Sequence, residues 1–355
     1  MRQQRIFKLL RRWFGHRVFT RKSRRKARSL DTFCGPPAIL FDRPGKEGLA
    51  ERWRERIEPF FAAFEKERQS RLDLISRARQ ELDAGPVVVS MFNWGYRQMV
   101  ENWAASCDHH DIDCRAFTLL FPTDAKADEF ARQLGFQTIY VEESYGAIPV
   151  EANDVFGDMK FRRVLFAKLA VTKDMLDLGY DILRQDVDVV WSCDPRDEII
   201  RLADRDSLDM LFMFDGPNVL YEPLHYNTGF VFIRSNPFTR HAWNVVFSNY
   251  SQIFDDGGEQ RVVNEVIDRL RQRGLRTDQL PENTYVNGHV ISRAMREGTG
   301  LPEQSVVVHA SWTSDIKPKV DHMKQFGLWH LQPIPETAEH AKSVGPGTST
   351  KSEGS

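Results

Sequence analysis

Cysteine is scarce in this sequence. Cys34, Cys107, Cys114 and Cys193 are the only four in 355 residues. They show no metal-ligand spacing and are too few for a disulfide framework, so a thiolate metal site and a disulfide-stapled fold are excluded. Reduced thiols are the default, which favours a cytosolic setting. Long apolar runs are also missing. The longest near the start, as in "IFKLL" and "WF", fall far below the ~20 residues that span a bilayer. No signal-peptide core follows the basic opening. No GxGxxG opens the first strand–helix unit, so a dinucleotide fingerprint is lacking. Nor does any Ser-His-Asp or Cys-His constellation stand out.

Acidic residues are absent from positions 1–30, which hold twelve Lys and Arg; against the overall −1 this leaves −13 for the rest of the chain. Residues 1–45 therefore read as a basic arm. One reading is a solvated, flexible segment. Another is a peripheral anchor to anionic lipid, with Phe7, Leu9, Leu10, Trp13 and Phe14 supplying apolar contacts. A nuclear signal or nucleic-acid arm around "RKSRRKAR" ranks behind both because the rest of the chain is acidic, and no nucleic-acid partner is expected. The expected location is the cytoplasm, extended in the anchor reading to the inner face of a membrane.

What is present is the composition of a soluble globular protein, 41% hydrophobic and 28% charged, with 24 Phe and eight Trp. Residues 46–84 read as a helical extension. Trp53, Ile57, Phe60, Phe61 and Phe64 follow helical spacing, Leu72, Ile75, Ala78 and Leu82 resume it, and Pro59 is expected to kink or divide the helix. From residue 86 strands and helices alternate. "PVVVSM", "CRAFTLLF", "FQTIYV" and "DILRQ" read as strands, and the segments between them as helices. "LDMLFMF", "TGFVFIR" and "SVVVH" are later strands. "NPFTRHAWNVVFSNY" is a helix capped by Asn236 with Pro237 at its first position, and "EQRVVNEVIDRLRQRG" is another. The fold class is α/β, a mainly parallel sheet flanked by helices over residues 85–335, with a disordered tail at 336–355.

Within "LRQDVDVVW" two carboxylates, Asp186 and Asp188, interrupt a run that otherwise reads as a buried strand. Unpaired buried carboxylates are costly, so something must compensate them. They follow the fourth strand, and ligands of open α/β sheets sit outside the carboxyl ends of strands. Two acidic oxygens there suit a hard divalent cation with positions left open for phosphate. A DxD in isolation also arises in surface turns.

Its surroundings resemble the GT-A nucleotide-diphospho-sugar transferases, specifically family 77 of the glycosyltransferases. "NWGYRQMVENWAASC" is similar to the first nucleotide-contacting loop and helix of that family. "AKLAVTKDMLDLGYDILRQDVDVVWSCDP" resembles its Lys-helix-Gly-Tyr-strand-DxD block. "YNTGFVFIR" resembles the Asn-x-Gly strand, "GEQRVVN" the Asp-Gln-x-x-x-Asn segment, and "VVHASWTSDIKPKVDHMKQFGLW" the closing His, Lys and Gly-Leu-Trp. The likeness covers residues 86–330.

The resemblance implies a metal-dependent, retaining transfer of a sugar from a UDP-sugar to a glycan, glycolipid or protein acceptor. It places Asp186, Asp188 and His309 on Mn²⁺ or Mg²⁺, and Lys168 on the diphosphate or donor sugar. Lys317 or Lys319 clamps the same phosphates, and Asn93 and Tyr96 frame the uracil or ribose. Asn227 and Gly229 approach the donor sugar, with Glu259 and Gln260 beside it. Each residue has a plainer reading as a helix, turn or core group, and Glu259 as the opening of a helix complements its dipole. Glu259 departs from the Asp usual in the family, and the extra methylene bears on donor choice and on activity. Two other readings stay open. One is a GT-A-shaped module that binds nucleotide sugar or glycan without turnover. The other is a haloacid-dehalogenase-like phosphatase, with Asp186 as nucleophile and "FDDGG" at 254–258 supplying later metal-binding acids.

Overall fold

The computed structural model describes residues 49–145, 159–218, 224–256, 258–313 and 315–331. The basic arm expected at 1–45 and the tail expected at 336–355 lie outside these residues. Among the described residues ten strands occur in chain order: β1 (Val87–Phe92), β2 (Thr118–Pro122), β3 (Gln137–Thr138), β4 (Ile182–Gln185), β5 (Val189–Trp191), β6 (Met210–Phe214), β7 (Tyr226–Ile233), β8 (Thr277–Gln279), β9 (Tyr285–Val286) and β10 (Val307–His309). Seven form a sheet in the order β3-β2-β1-β4-β7-β6-β8, and β5-β10-β9 form a smaller one. Every pairing in the large sheet is parallel except those of β7, which runs antiparallel to both β4 and β6. A mainly parallel α/β sheet is therefore what the chain builds.

The strands of this sheet are almost continuously apolar because both faces are covered. Successive side chains point to opposite faces, and the core divides accordingly. Val87, Val89, Leu119, Phe121, Ile182, Met210 and Phe212 belong to one core, while Val88, Leu120, Leu183, Leu211 and Met213 belong to the other. The helix Met159–Asp177 ends where the sequence places its stop. Gly179 takes φ +88°, and the N–H of Tyr180 returns to the carbonyl of Met175 at 3.1 Å, closing the last turn. Asn236 caps Pro237–Ser248 in a full capping box with Thr239.

The helical extension shares the first core. Phe60, Phe64, Ile75 and Leu82 are buried with Phe166 of the Met159–Asp177 helix, and Arg71, fully buried, pairs with Asp174 of that helix at 2.8 Å. The long helix is divided, but not at Pro59. Its pieces are Leu49–Lys66 and Arg68–Gln80, with the break at Glu67. Pro59 is exposed, where water can take the hydrogen bond its ring removes. The strand expected over "FQTIYV" shrinks to two residues, because β3 is the sheet edge and the chain turns into a short helix at Glu142.

"LRQDVDVVW" is not one strand. β4 lies in the large sheet and β5 in the small one, and the two aspartates occupy the crossing between them. Backbone bonds to neighbouring strands hold this crossing in place. Asp186 N–H donates to Gly229 O at 2.7 Å, and Ala310 N–H donates to Asp188 O at 2.9 Å. Among the described residues no helix is long and apolar enough to cross a membrane. Cys107 and Cys114 are buried, Cys193 is exposed, and all three are free.

Candidate active site

The carboxyl ends of β1, β4 and β6 open onto a cavity of about 410 Å³. Because β7 runs the other way, it presents its beginning to the same edge, which is how Asn227 and Gly229 reach the cavity. Asn93, Tyr96, Lys168, Asp186, Asp188, Asn227, Gly229, Glu259, Gln260, His309 and Lys319 all line it. Apart from Lys317, every residue singled out for donor, metal or catalytic contact is thus brought to one place. The two lysines left open by the sequence are separated by the fold. Lys317 is exposed and pairs with Asp321 one helical turn away, whereas Lys319 is largely buried against Asp188 and Ala310 O.

The cavity floor holds Asp186, Asp188 and His309, whose candidate ligand atoms lie within 4.8 Å of one another. His309 Nε2 is 3.2 Å from Asp188 Oδ1 and 3.8 Å from Asp186 Oδ2. Lys168 hydrogen-bonds to Asp186, and Lys319 to Asp188. Burial opposes ionisation of both aspartates. Lys168 and His309 beside Asp186, and Lys319 and His309 beside Asp188, more than offset it, so both carboxyls are held below the ordinary carboxylate range. Two carboxylates and an imidazole suit Mn²⁺ or Mg²⁺ far better than a soft ion. Gly229 keeps the space beside them clear. A Cβ there would collide with His309 Cε1 and come within 2.5 Å of Asp186 Oδ2. The donor set and the cleared space both fit a divalent cation.

A second group, built on Asp215, lies at the carboxyl end of β6. Its Oδ1 accepts from Asn227 Nδ2 at 2.6 Å and from Trp312 Nε1 at 3.2 Å, and its Oδ2 accepts from Gln260 Nε2 at 2.6 Å. The strands bend to allow this. A register shift between Phe212 and Met213 lets Asn227 pair with Met213. The side chain of Asn264 bonds to both backbone polar groups of Tyr226 at 2.8 Å, replacing a ladder partner. The third group is ionic. Arg184, buried on β4, donates to Thr228 O at 2.8 Å and to Glu259, and Glu259 lies 3.6 Å from Lys168.

Sequence reasoning missed Arg184, Asp215 and Trp312. The first two carried a signal. Arg184 is a charge inside a strand run, and Asp215 follows a strand at the same edge that marks Asp186. Trp312 carried none beyond its place three residues after His309. Its backbone sits at φ +65°, a conformation that costs a non-glycine residue on the order of 1–3 kcal/mol.

Residues 115–323, more than half of the chain, match the family described as nucleotide-diphospho-sugar transferase. The match contains the aspartates, His309, both lysines and the Asp215 group, and leaves out Asn93 and Tyr96. Over 272 residues the chain is 25% identical to beta-arabinofuranosyltransferase RAY1 of Arabidopsis thaliana, covering 68% of this chain and 47% of that protein. Over 292 residues it is 23% identical to UDP-galactose:fucoside alpha-3-galactosyltransferase of Dictyostelium discoideum, covering 69% and 43%. The chain thus spans just under half the length of these curated relatives. A solved structure of the galactosyltransferase LgtC in complex with donor and acceptor sugar analogs aligns at 14% identity and a TM-score of 0.43, covering 70% of this chain and 97% of that one. The motif resemblance stands and the phosphatase reading falls with it: the chain belongs to the nucleotide-diphospho-sugar transferase family.

Proposed function

We propose that the chain is a metal-dependent, retaining glycosyltransferase that takes its sugar from a UDP-sugar. The observation that carries this reading is the meeting of Asp186, Asp188 and His309 within 4.8 Å on the floor of a cavity at the carboxyl edge of the sheet. These three residues would hold Mn²⁺ or Mg²⁺. When bound, the ion supplies Lewis-acid neutralisation of charge on the leaving diphosphate.

The remaining work falls to the chain's own side chains. Lys168 and Lys319 stand beside the aspartates and offer their ammonium groups to phosphate oxygens. Asn93 and Tyr96, at the end of β1, border the region where the uridine would lie. Asn227 and Gln260, fixed by Asp215, present amides to the hydroxyls of the donor sugar. Glu259 acts through Lys168, which it faces from its buried pair with Arg184. In the transfer, the bond between the anomeric carbon and the phosphate oxygen breaks while the acceptor hydroxyl bonds to that carbon on the same face. The hydroxyl proton passes to the departing phosphate. No protein base is needed, in keeping with the missing nucleophile constellations. The names of the relatives point to galactose or arabinofuranose among donor sugars.

Calorimetric titration of UDP with and without Mn²⁺, on the wild type and on Asp188→Ala, tests the reading. Mn²⁺-dependent binding that the substitution abolishes is expected. Folded wild-type protein that does not bind UDP would sink the proposal. UDP binding without sugar transfer or UDP-sugar hydrolysis would leave a binding module.

A further inference from the structure

Trp312 ends one wall of the cavity. The residue is 51% exposed, against 37% and 38% for Leu74 and Met295, the other exposed large hydrophobic residues among those described. An exposed tryptophan is usually loosely held, and this one is fixed. A Cβ at Gly216 would lie 2.9 Å from Trp312 Cζ2, and one at Gly288 would lie 2.7 Å from Trp312 Cβ. Gly216 thus leaves room for the indole edge, while Gly288 admits the backbone of Ser311, whose oxygen would lie 2.3 Å from that Cβ, together with the Trp312 Cβ. The His289 ring lies 5.3 Å away on a tilted plane, and the indole N–H is bonded to Asp215. The backbone at Trp312 is left-handed and the residue stays about half exposed.

Contacts order the groups between floor and rim. Asp186, His309 and Asn227 close in on Gly229, where a side chain is missing; Asn227 bonds to Asp215; Asp215 bonds to Trp312. A nucleotide sugar whose diphosphate lies at the aspartates lays its sugar along Asn227, Gln260 and Asp215. The indole, bonded to Asp215, borders the same cavity.

We infer that Trp312 is the platform on which the acceptor rests, and that the acceptor is a carbohydrate. The inference builds on the transferase reading above. An aromatic face carries partial negative charge, which complements the polarised C–H bonds on one face of a pyranose or furanose ring. The hydroxyls at the ring edge need hydrogen-bond partners. Asp215, which lines the same cavity, offers carboxylate oxygens there.

The test uses wild-type protein with UDP and Mn²⁺, Trp312→Ala and Trp312→Phe. Each is titrated with methyl glycosides of fucose, galactose, arabinose, xylose, glucose and mannose, and binding is read by saturation-transfer NMR. UDP affinity is measured on the same samples. At least one glycoside should bind the wild type and show saturation on its ring C–H protons. Trp312→Ala should weaken that glycoside at least tenfold more than it changes UDP affinity, and Trp312→Phe should retain most of the binding. Glycoside binding indifferent to Trp312, or none at all by protein that binds UDP, overturns the carbohydrate platform alone. Absence of UDP binding by the wild type overturns the transferase reading beneath it.

Discussion

Arg184 on β4 and Glu259 at the start of the Gln260–Gln272 helix are 75 residues apart in sequence and form an ion pair with side chains only 1% and 3% exposed. This pair bears on a departure from the family pattern, a glutamate where an aspartate is usual. The longer side chain of Glu259 reaches a buried guanidinium, so the departure has a structural partner inside the same fold.

Breaking one half of such a pair leaves a charge buried without its partner, at a cost of about 3–5 kcal/mol. Arg184→Met leaves Glu259 only Lys168, 3.6 Å away, and should therefore lower the unfolding free energy by up to that order in urea denaturation. Arg184→Met combined with Glu259→Gln should recover much of the loss, because neither uncompensated charge then remains. A double variant no more stable than Arg184→Met would show that the pair does not govern stability here.

Gly229→Ala adds a single methyl group where Asp186 and His309 approach the backbone. The strand pairing of β7 does not depend on the missing side chain. Secondary structure by circular dichroism should be retained, while Mn²⁺-dependent UDP affinity falls by roughly 10–100-fold, the range typical when groups orienting a metal's ligands are disturbed. Unchanged affinity would mean that the aspartates can shift without loss.

Asp215→Asn preserves size but replaces one acceptor oxygen with a donor. Asn227, Gln260 and Trp312 all donate to this carboxylate. Losing one charge-assisted hydrogen bond of about 1.5–3 kcal/mol corresponds to roughly 10–100-fold in kcat/KM. Steady-state kinetics should show this loss with UDP binding much less affected, because Asp215 is not among the groups beside the proposed cation.

The aspartates set a pH dependence whose sign is fixed by the direction of their shifts. Both carboxyls titrate below their ordinary value in the folded protein. Their contribution to stability is complete above the unfolded value of ~3.9 and is lost as pH falls through the lower folded value. Between about pH 4 and pH 2 the unfolding free energy of the wild type should fall more steeply than that of Asp188→Asn, measured in denaturant at each pH. Equal slopes would show that Lys319 and His309 do not hold Asp188 ionised.

Much of the fold was legible because its determinants are local. Buried parallel strands must be continuously apolar, and the helices between them carry their own stops, as at Gly179, and caps, as at Asn236. The aspartate pair was legible for the opposite reason, as charge placed where local patterning calls for a buried strand. The motifs around it then marked the cavity-lining residues, although they left Lys317 and Lys319 unresolved. That choice depended on which face of one helix turns inward. The break at Glu67 and the shrinkage of β3 depended likewise on the surfaces each segment met.

The sequence by itself determined an alternating α/β chain with two carboxylates and a histidine at strand ends, since these features follow from residue type and spacing. Only the tertiary structure decided what compensates them and what surrounds them. Lys168, Lys319 and His309 reach the aspartates from separate elements. Arg184 takes Glu259, Asp215 gathers Asn227 and Gln260, and Trp312 stands where two distant glycines leave room. The physical reason is common to all of these: partners of buried charge and shape complementarity at a cavity rim depend on distances between residues far apart in the chain, which only folding fixes.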